Sequence, residues 1–263
     1  MILGHLPIEV SILASCGPTI AAVVTNRLAC GNYRAVRLNV SWPRTIGAGT
    51  LGITLVLAAF VVFPAVATVD AGKLNWSALA SLGVYNYSTL LGGPLFEEPG
   101  WRGFVLPRLE SRLSPVTSSL LLGAIWAAWH LPFFLYPGWT ECPVWIYFLI
   151  VIGLSVLMTF AANLARFGVI ASILMHAIFN TQGRFLQGLF ANAGPGSGGF
   201  LNDLVHRIPT MGGRGGSISI SFALLVAIGG WIAALLVIAL TRGRLGYARE
   251  AASGMALAKT AGG

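Results

Sequence analysis

The chain has 263 residues, 56% of them hydrophobic and 9% charged, with a formal net charge of +8 and a mean hydropathy of +0.79. A soluble domain carries roughly 25% charged residues, so this chain has too few polar side chains to cover a water-facing surface. It reads as a polytopic membrane protein. The positive charge is not a nucleic-acid footprint, because its 14 Arg and 2 Lys are strung between apolar stretches rather than gathered on one face, and loop cations of this kind set membrane topology.

A helix needs roughly 20 apolar residues to cross a bilayer. In chain order the candidates are 8–26, 46–69, 77–96, 116–136, 143–163, 168–190 and 217–240. The expectation is an all-α bundle of about seven spans, within a range of six to eight. No Lys or Arg precedes Arg27 and Glu9 lies in the first segment, so a cleaved signal peptide is not expected. The third candidate is interrupted by Asn86, Ser88 and Gly92-Gly93-Pro94, and the sixth carries His176, Asn180, Gln182 and Arg184. These two are expected to face a protein interior. A Gly/Pro/Ser-rich connection at 191–216 reads as a long external loop. The organisation expected is one domain over 1–241 and a short disordered tail over 242–263.

Alternating these spans puts twelve basic residues on one side and four (Lys73, Arg184, Arg207, Arg214) on the other. The richer side is cytoplasmic by the positive-inside rule, which places the N-terminus outside and the C-terminus inside. The expected location is a bacterial inner membrane. Cys16, Cys30 and Cys142 are far apart and odd in number, so neither a disulfide framework nor a cysteine metal site is expected.

Ionisable groups at membrane depth are costly and mark functional sites by default. The first is the run Glu97-Glu98-Pro99-Gly100-Trp101-Arg102. In a helix Glu98 and Arg102 sit at i, i+4 and can pair, while Glu97 points about a quarter-turn away and is left to handle a proton. The plainer reading is two acids at a helix start, with Pro99 in its first turn. The second is Trp126-Ala127-Ala128-Trp129-His130, and a lone His in an apolar helix is ordinarily a bonded core residue. The third is His176-Ala177-Ile178-Phe179-Asn180, whose spacing puts both polar groups on one helix face, where they serve equally as glue between helices. Jointly, these residues supply a base, proton-handling or metal-binding imidazoles and an oxyanion donor. Those are the parts required to activate water against a carbonyl.

The order E-E-x-x-x-R, aromatic-x-x-x-His, His-x-x-x-Asn, each on an apolar helix, resembles the CAAX prenyl protease and bacteriocin-processing (CPBP, or Abi) family of intramembrane proteases. The stretches EEPGWRGFVLPRLESRLSP, AIWAAWHLPFF and SILMHAIFN carry the likeness most strongly over 90–182. It implies an endopeptidase acting on a membrane-associated or lipidated substrate. Glu97 would activate water, His130 would assist or bind a metal, and His176 and Asn180 would stabilise the oxyanion or complete a metal site. Glu98 and Arg102 would be supporting residues. The resemblance leaves a zinc mechanism through His130 and His176 and a metal-independent glutamate mechanism both open; a catalytic zinc is satisfied by three such ligands and an open position, whereas Asn180 suits an oxyanion role better. Trp126 stands where Phe is common, Pro99 follows the paired acids, and an additional N-terminal span of the family is not evident. The competing readings are a transporter or channel with an ion path through the Glu, His and Arg, and a non-catalytic scaffold or immunity protein. The site is expected at the cytoplasmic end of the third span.

Overall fold

The computed structural model describes residues 14–32, 42–59, 90, 93–135, 140, 142–189 and 220–247. Every regular element among them is helical, as the composition requires. In chain order they are α1 (Gly17–Cys30), α2 (Trp42–Leu57), α3 (Pro94–Gly100), a π-helical segment (Trp101–Val105), α4 (Leu106–Glu110), α5 (Pro115–Trp129), a 3₁₀ turn (Leu131–Leu135), α6 (Val144–Leu164), α7 (Val169–Leu189) and α8 (Ile220–Leu240). Pro115–Leu135, Val144–Leu164 and Ala223–Leu240 are each long and apolar enough to cross a membrane, and Val169–Thr181 is a shorter apolar helix.

Local chemistry explains the ends. Ser114 caps α5 by accepting the Thr117 N–H at 3.1 Å, with Pro115 in the first turn where its missing N–H costs nothing. Gly31 ends α1 in the left-handed region at φ 70° and returns its N–H to the Arg27 carbonyl, the arrangement a residue without Cβ adopts at least cost. The apolar run of α6 is 21 residues, roughly 31 Å at 1.5 Å per residue, which matches a bilayer core.

Small residues let the helices approach closely, as is usual where packing rather than water drives association. A Cβ on Gly100 would lie 2.4 Å from the Pro18 carbonyl carbon, so α3 and α1 meet backbone to backbone. The Thr19 hydroxyl donates to the Phe96 carbonyl across that contact. Gly123 brings α5 equally near the Ile152 Cα and Ser155 Cβ of α6, each at 2.9 Å from such a Cβ.

The segment carrying the paired acids differs from expectation. Residues 77–89 lie outside those described, and the helix does not stop before Glu97: it runs from Pro94 through the π-helical segment to Glu110. Pro99 and Pro107 bracket the wider turn, each lacking the N–H that an α-helical ladder uses. The ladder shifts there to i→i−5, with the Leu106 N–H on the Trp101 carbonyl, as in a π-bulge. Arg102, counted among loop cations from the sequence, is fully buried.

The tail expected to be disordered from 242 begins as a packed turn. Leu245 is fully buried, its N–H bonds the Thr241 hydroxyl at 3.1 Å and its carbonyl accepts from Asn163 Nδ2 at 3.1 Å. Residues 248–263 and the 191–216 connection lie outside the described residues.

Candidate active site

Trp126, near the C-terminal end of α5, is the centre of the cluster. Its indole N–H donates to Glu97 Oε2 at 3.0 Å, and its carbonyl accepts from His130 Nδ1 at 2.7 Å. The His176 ring stands edge-on to it with centroids 4.9 Å apart, and the Arg102 guanidinium lies 4.4 Å from its ring centroid. Helical period explains the His130 contact, since His130 is one turn beyond Trp126. It sits at the C-cap of α5 rather than inside the helix, where the chain turns into the 3₁₀ segment.

Glu98 and Arg102 form the expected i, i+4 pair, with Nη1 on Oε1 at 3.1 Å. Glu98 Oε1 also accepts from His176 Nδ1 at 2.9 Å, a bond between α3 and α7 across 78 positions. Arg102 Nη2 reaches Ser155 Oγ at 3.2 Å, and that hydroxyl donates to the Ser119 carbonyl at 3.0 Å. A fully buried charge is held this way only if its partners are in place. The guanidinium fork bridges a carboxylate and a hydroxyl on two helices, a geometry a lysine does not supply.

Glu97 is buried at 6% exposure and takes no part in the Arg102 bond. One oxygen is fixed by Trp126. The other, Oε1, faces the Gly93 backbone, where a Cβ would stand 3.1 Å from it. Gly93 leaves room for the carboxylate where a side chain would crowd it. Both imidazoles meet acceptors at Nδ1, the Trp126 carbonyl for His130 and the Glu98 carboxylate for His176. In their neutral forms each therefore carries its proton on Nδ1 and presents a lone pair at Nε2. His130 lies within electrostatic reach of Glu97 and His176, and its ring packs 5.5 Å from that of buried Tyr147.

Glu97, Glu98, Arg102, His130 and His176 are thus brought together. Asn180 is exposed, one turn beyond His176 on α7, and no hydrogen bond among the described residues ties it to the others. Three contributors escaped the sequence reading: Trp126 as a donor rather than a wall, Ser155 under the guanidinium, and Tyr147 against His130. The aromatic run around Trp126 was visible, but nothing in it told which atom meets Glu97. Among the described residues no three His, Cys, Asp or Glu side chains converge as a metal would require.

Outside the membrane spans, Glu110 at the end of α4 is 5% exposed. Burial raises its carboxyl pKa from 4.5 to about 8, opposed by the hydrogen bond from Asn163, which donates to Oε1 at 2.8 Å.

Fold and site together define a helical membrane protein with a carboxylate–imidazole centre buried in its bundle. Residues 53–182 match the family model for type II CAAX prenyl endopeptidase Rce1-like proteins, and the chain belongs to this CPBP family. A relative, CAAX prenyl protease 2 of Methanococcus maripaludis, is 29% identical over 106 residues, covering 37% of this chain and 39% of the relative. The chain therefore matches about two-fifths of the relative's length.

Proposed function

We propose that the chain is an intramembrane endopeptidase that cleaves membrane-associated or lipidated polypeptides with a glutamate-activated water. One observation carries this reading: Glu97 is buried with one oxygen anchored by an indole N–H and the other against Gly93, beside two imidazoles whose Nδ1 atoms both meet acceptors. In this mechanism Glu97 Oε1 takes a proton from water as the oxygen adds to the peptide carbonyl. His130 Nε2, with Nδ1 held by Trp126, accepts from the same water and orients it. The developing oxyanion takes hydrogen bonds from the Asn180 amide and from His176. With Nδ1 committed to Glu98, His176 offers Nε2–H to an oxyanion only as the imidazolium, and Glu98 at 2.9 Å is its counter-charge. Collapse of the tetrahedral intermediate sends the Glu97 proton to the leaving amine.

The resemblance allows zinc on His130 and His176. The described donors do not gather as a three-ligand site, and the mechanism carries no step through a metal.

Comparative proteomics of membranes from cells expressing the wild type or Glu97→Gln tests the reading. At least one membrane peptide or protein is expected to lose its processed form in the variant. Identical processing in both would overturn the protease assignment. A chelator is expected to leave processing by purified protein unchanged.

A further inference from the structure

A crevice separate from the Glu97 cluster opens between α1 and α4. Its volume is about 710 Å³, within the roughly 300–1,000 Å³ typical of ligand pockets. The walls are mostly apolar, with Ala29 of α1 opposite Phe104, Val105 and Leu109. Arg108 and Arg112 also line it, one helical turn apart and so on one face of the chain. None of the described residues that line it is acidic; Glu110, between the two arginines in sequence, bonds Asn163 instead.

Arg108 is held in a fixed orientation. Its Nη1 donates to the Phe104 carbonyl at 2.9 Å and its Nη2 to Asn26 Oδ1 at 3.0 Å, while the guanidinium lies 3.5 Å from the Phe104 ring centroid. Both acceptors are neutral, so these bonds orient the cation without cancelling its charge. Arg112 is exposed just past the end of α4, where its backbone N–H meets the Leu109 carbonyl at 2.9 Å. Like charges one turn apart repel, and a phosphate between them replaces that repulsion with charge-assisted hydrogen bonds. The depth of the crevice follows from the chain. Arg112 comes shortly before Pro115, the first residue of an apolar span, which puts its head group at the membrane–water boundary. The helix bearing Val105 runs antiparallel to α5, since Glu97 meets Trp126 near the end of α5. Val105 therefore lies roughly 10 Å deeper than Arg112, in the hydrocarbon layer. A ligand that fits has an anionic head and an apolar tail.

We propose that this crevice binds one anionic phospholipid, with its phosphate between Arg108 and Arg112 and an acyl chain along Val105 and Leu109. Cations beside an apolar helix surface recognise lipid head groups in this way. A zwitterionic lipid fits the walls equally well but brings its own ammonium against the arginines. α1 and α3 already touch at Pro18 and Gly100, and the lipid braces the continuation of that seam. The proposal is independent of the catalytic reading above.

The test is native mass spectrometry of the purified full chain, offered equal amounts of phosphatidylglycerol and phosphatidylcholine with the same acyl chains. One phosphatidylglycerol is expected to be retained, on the order of 20-fold over phosphatidylcholine, from about a factor of five per arginine. Arg112→Gln should lose about fivefold of that preference. Arg112 is exposed, so this variant keeps the fold, which a melting curve verifies. Arg44→Gln, which removes an exposed charge from α2, should retain the full preference. Equal retention of the two lipids by the wild type would overturn the proposal. So would equal losses in Arg44→Gln and Arg112→Gln, the mark of general surface charge. Displacement of phosphatidylglycerol by millimolar sn-glycerol 3-phosphate would overturn it in favour of a soluble phosphate ester. Because lipid retention needs no activity, failure here is separate from unchanged processing by Glu97→Gln.

Discussion

The indole N–H of Trp126 fixes Glu97 Oε2 at 3.0 Å while the carbonyl of the same residue holds His130 Nδ1 at 2.7 Å. One residue thereby sets the aim of both the proposed base and the imidazole beside it, and four expectations follow from this arrangement and its surroundings.

Trp126→Phe keeps the ring against His176 and Arg102 but removes the donor to Glu97. A hydrogen bond to a charged group contributes about 1.5–3 kcal/mol, so kcat is expected to fall at least about tenfold. KM should stay within a factor of two, since the indole does not reach the substrate in this scheme. Steady-state kinetics with a processed substrate, beside a melting curve showing the fold intact, decide this. An unchanged kcat would mean that the bond does not aim the base.

Arg102→Leu leaves Glu98 charged, fully buried and short of its guanidinium partner. Breaking a buried pair from one side costs about 3–5 kcal/mol, so the variant should lose most of its thermal stability in detergent. Glu98→Gln combined with Arg102→Leu should recover much of that loss, because no lone charge remains. If the double variant melts no higher than the single one, the pair is not the main source of the effect.

Glu110 has a pKa of about 8 in the fold against an ordinary 4.5. The folded state therefore binds the extra proton between these values. Its contribution to stability is fully present below about pH 4.5, declines as pH rises and is gone above about pH 8. Melting temperature should fall over that window in the wild type and vary less in Glu110→Gln, measured from pH 5 to 9. Parallel curves for the two proteins would rule out this linkage.

Gly100→Ala drives a methyl group into the Pro18–Thr19 backbone of α1, at 2.4 Å from the nearest carbon. Backbone cannot yield as a flexible side chain does, so an overpacking cost of about 1–3 kcal/mol is expected. Protease nicking within α1 of the purified variant would report its detachment from α3. Wild-type resistance would show that the two helices separate without strain.

Much of the site was legible because it is local. The Glu98–Arg102 pair needs only the helical period, and the observed bond is the one that spacing implies. The motif order along the chain was enough to point to the family to which the chain belongs. The depth of Glu97 was not legible, because the apolar run appeared to end at the charges. Two prolines and a π-helical segment continue that helix to Glu110, and a hydropathy pattern cannot register a buried arginine as interior.

By itself the sequence determined the membrane class, the all-helical architecture and the identity of the polar residues, since composition and a period of 3.6 residues act within single segments. Tertiary structure alone decided that His176 turns to Glu98 across 78 positions and that Trp126 donates to Glu97 across 29. Those relations depend on how closely α1, α3, α5, α6 and α7 approach one another. That approach is set by backbone contacts at Gly100 and Gly123, and such contacts exist only once the helices have packed.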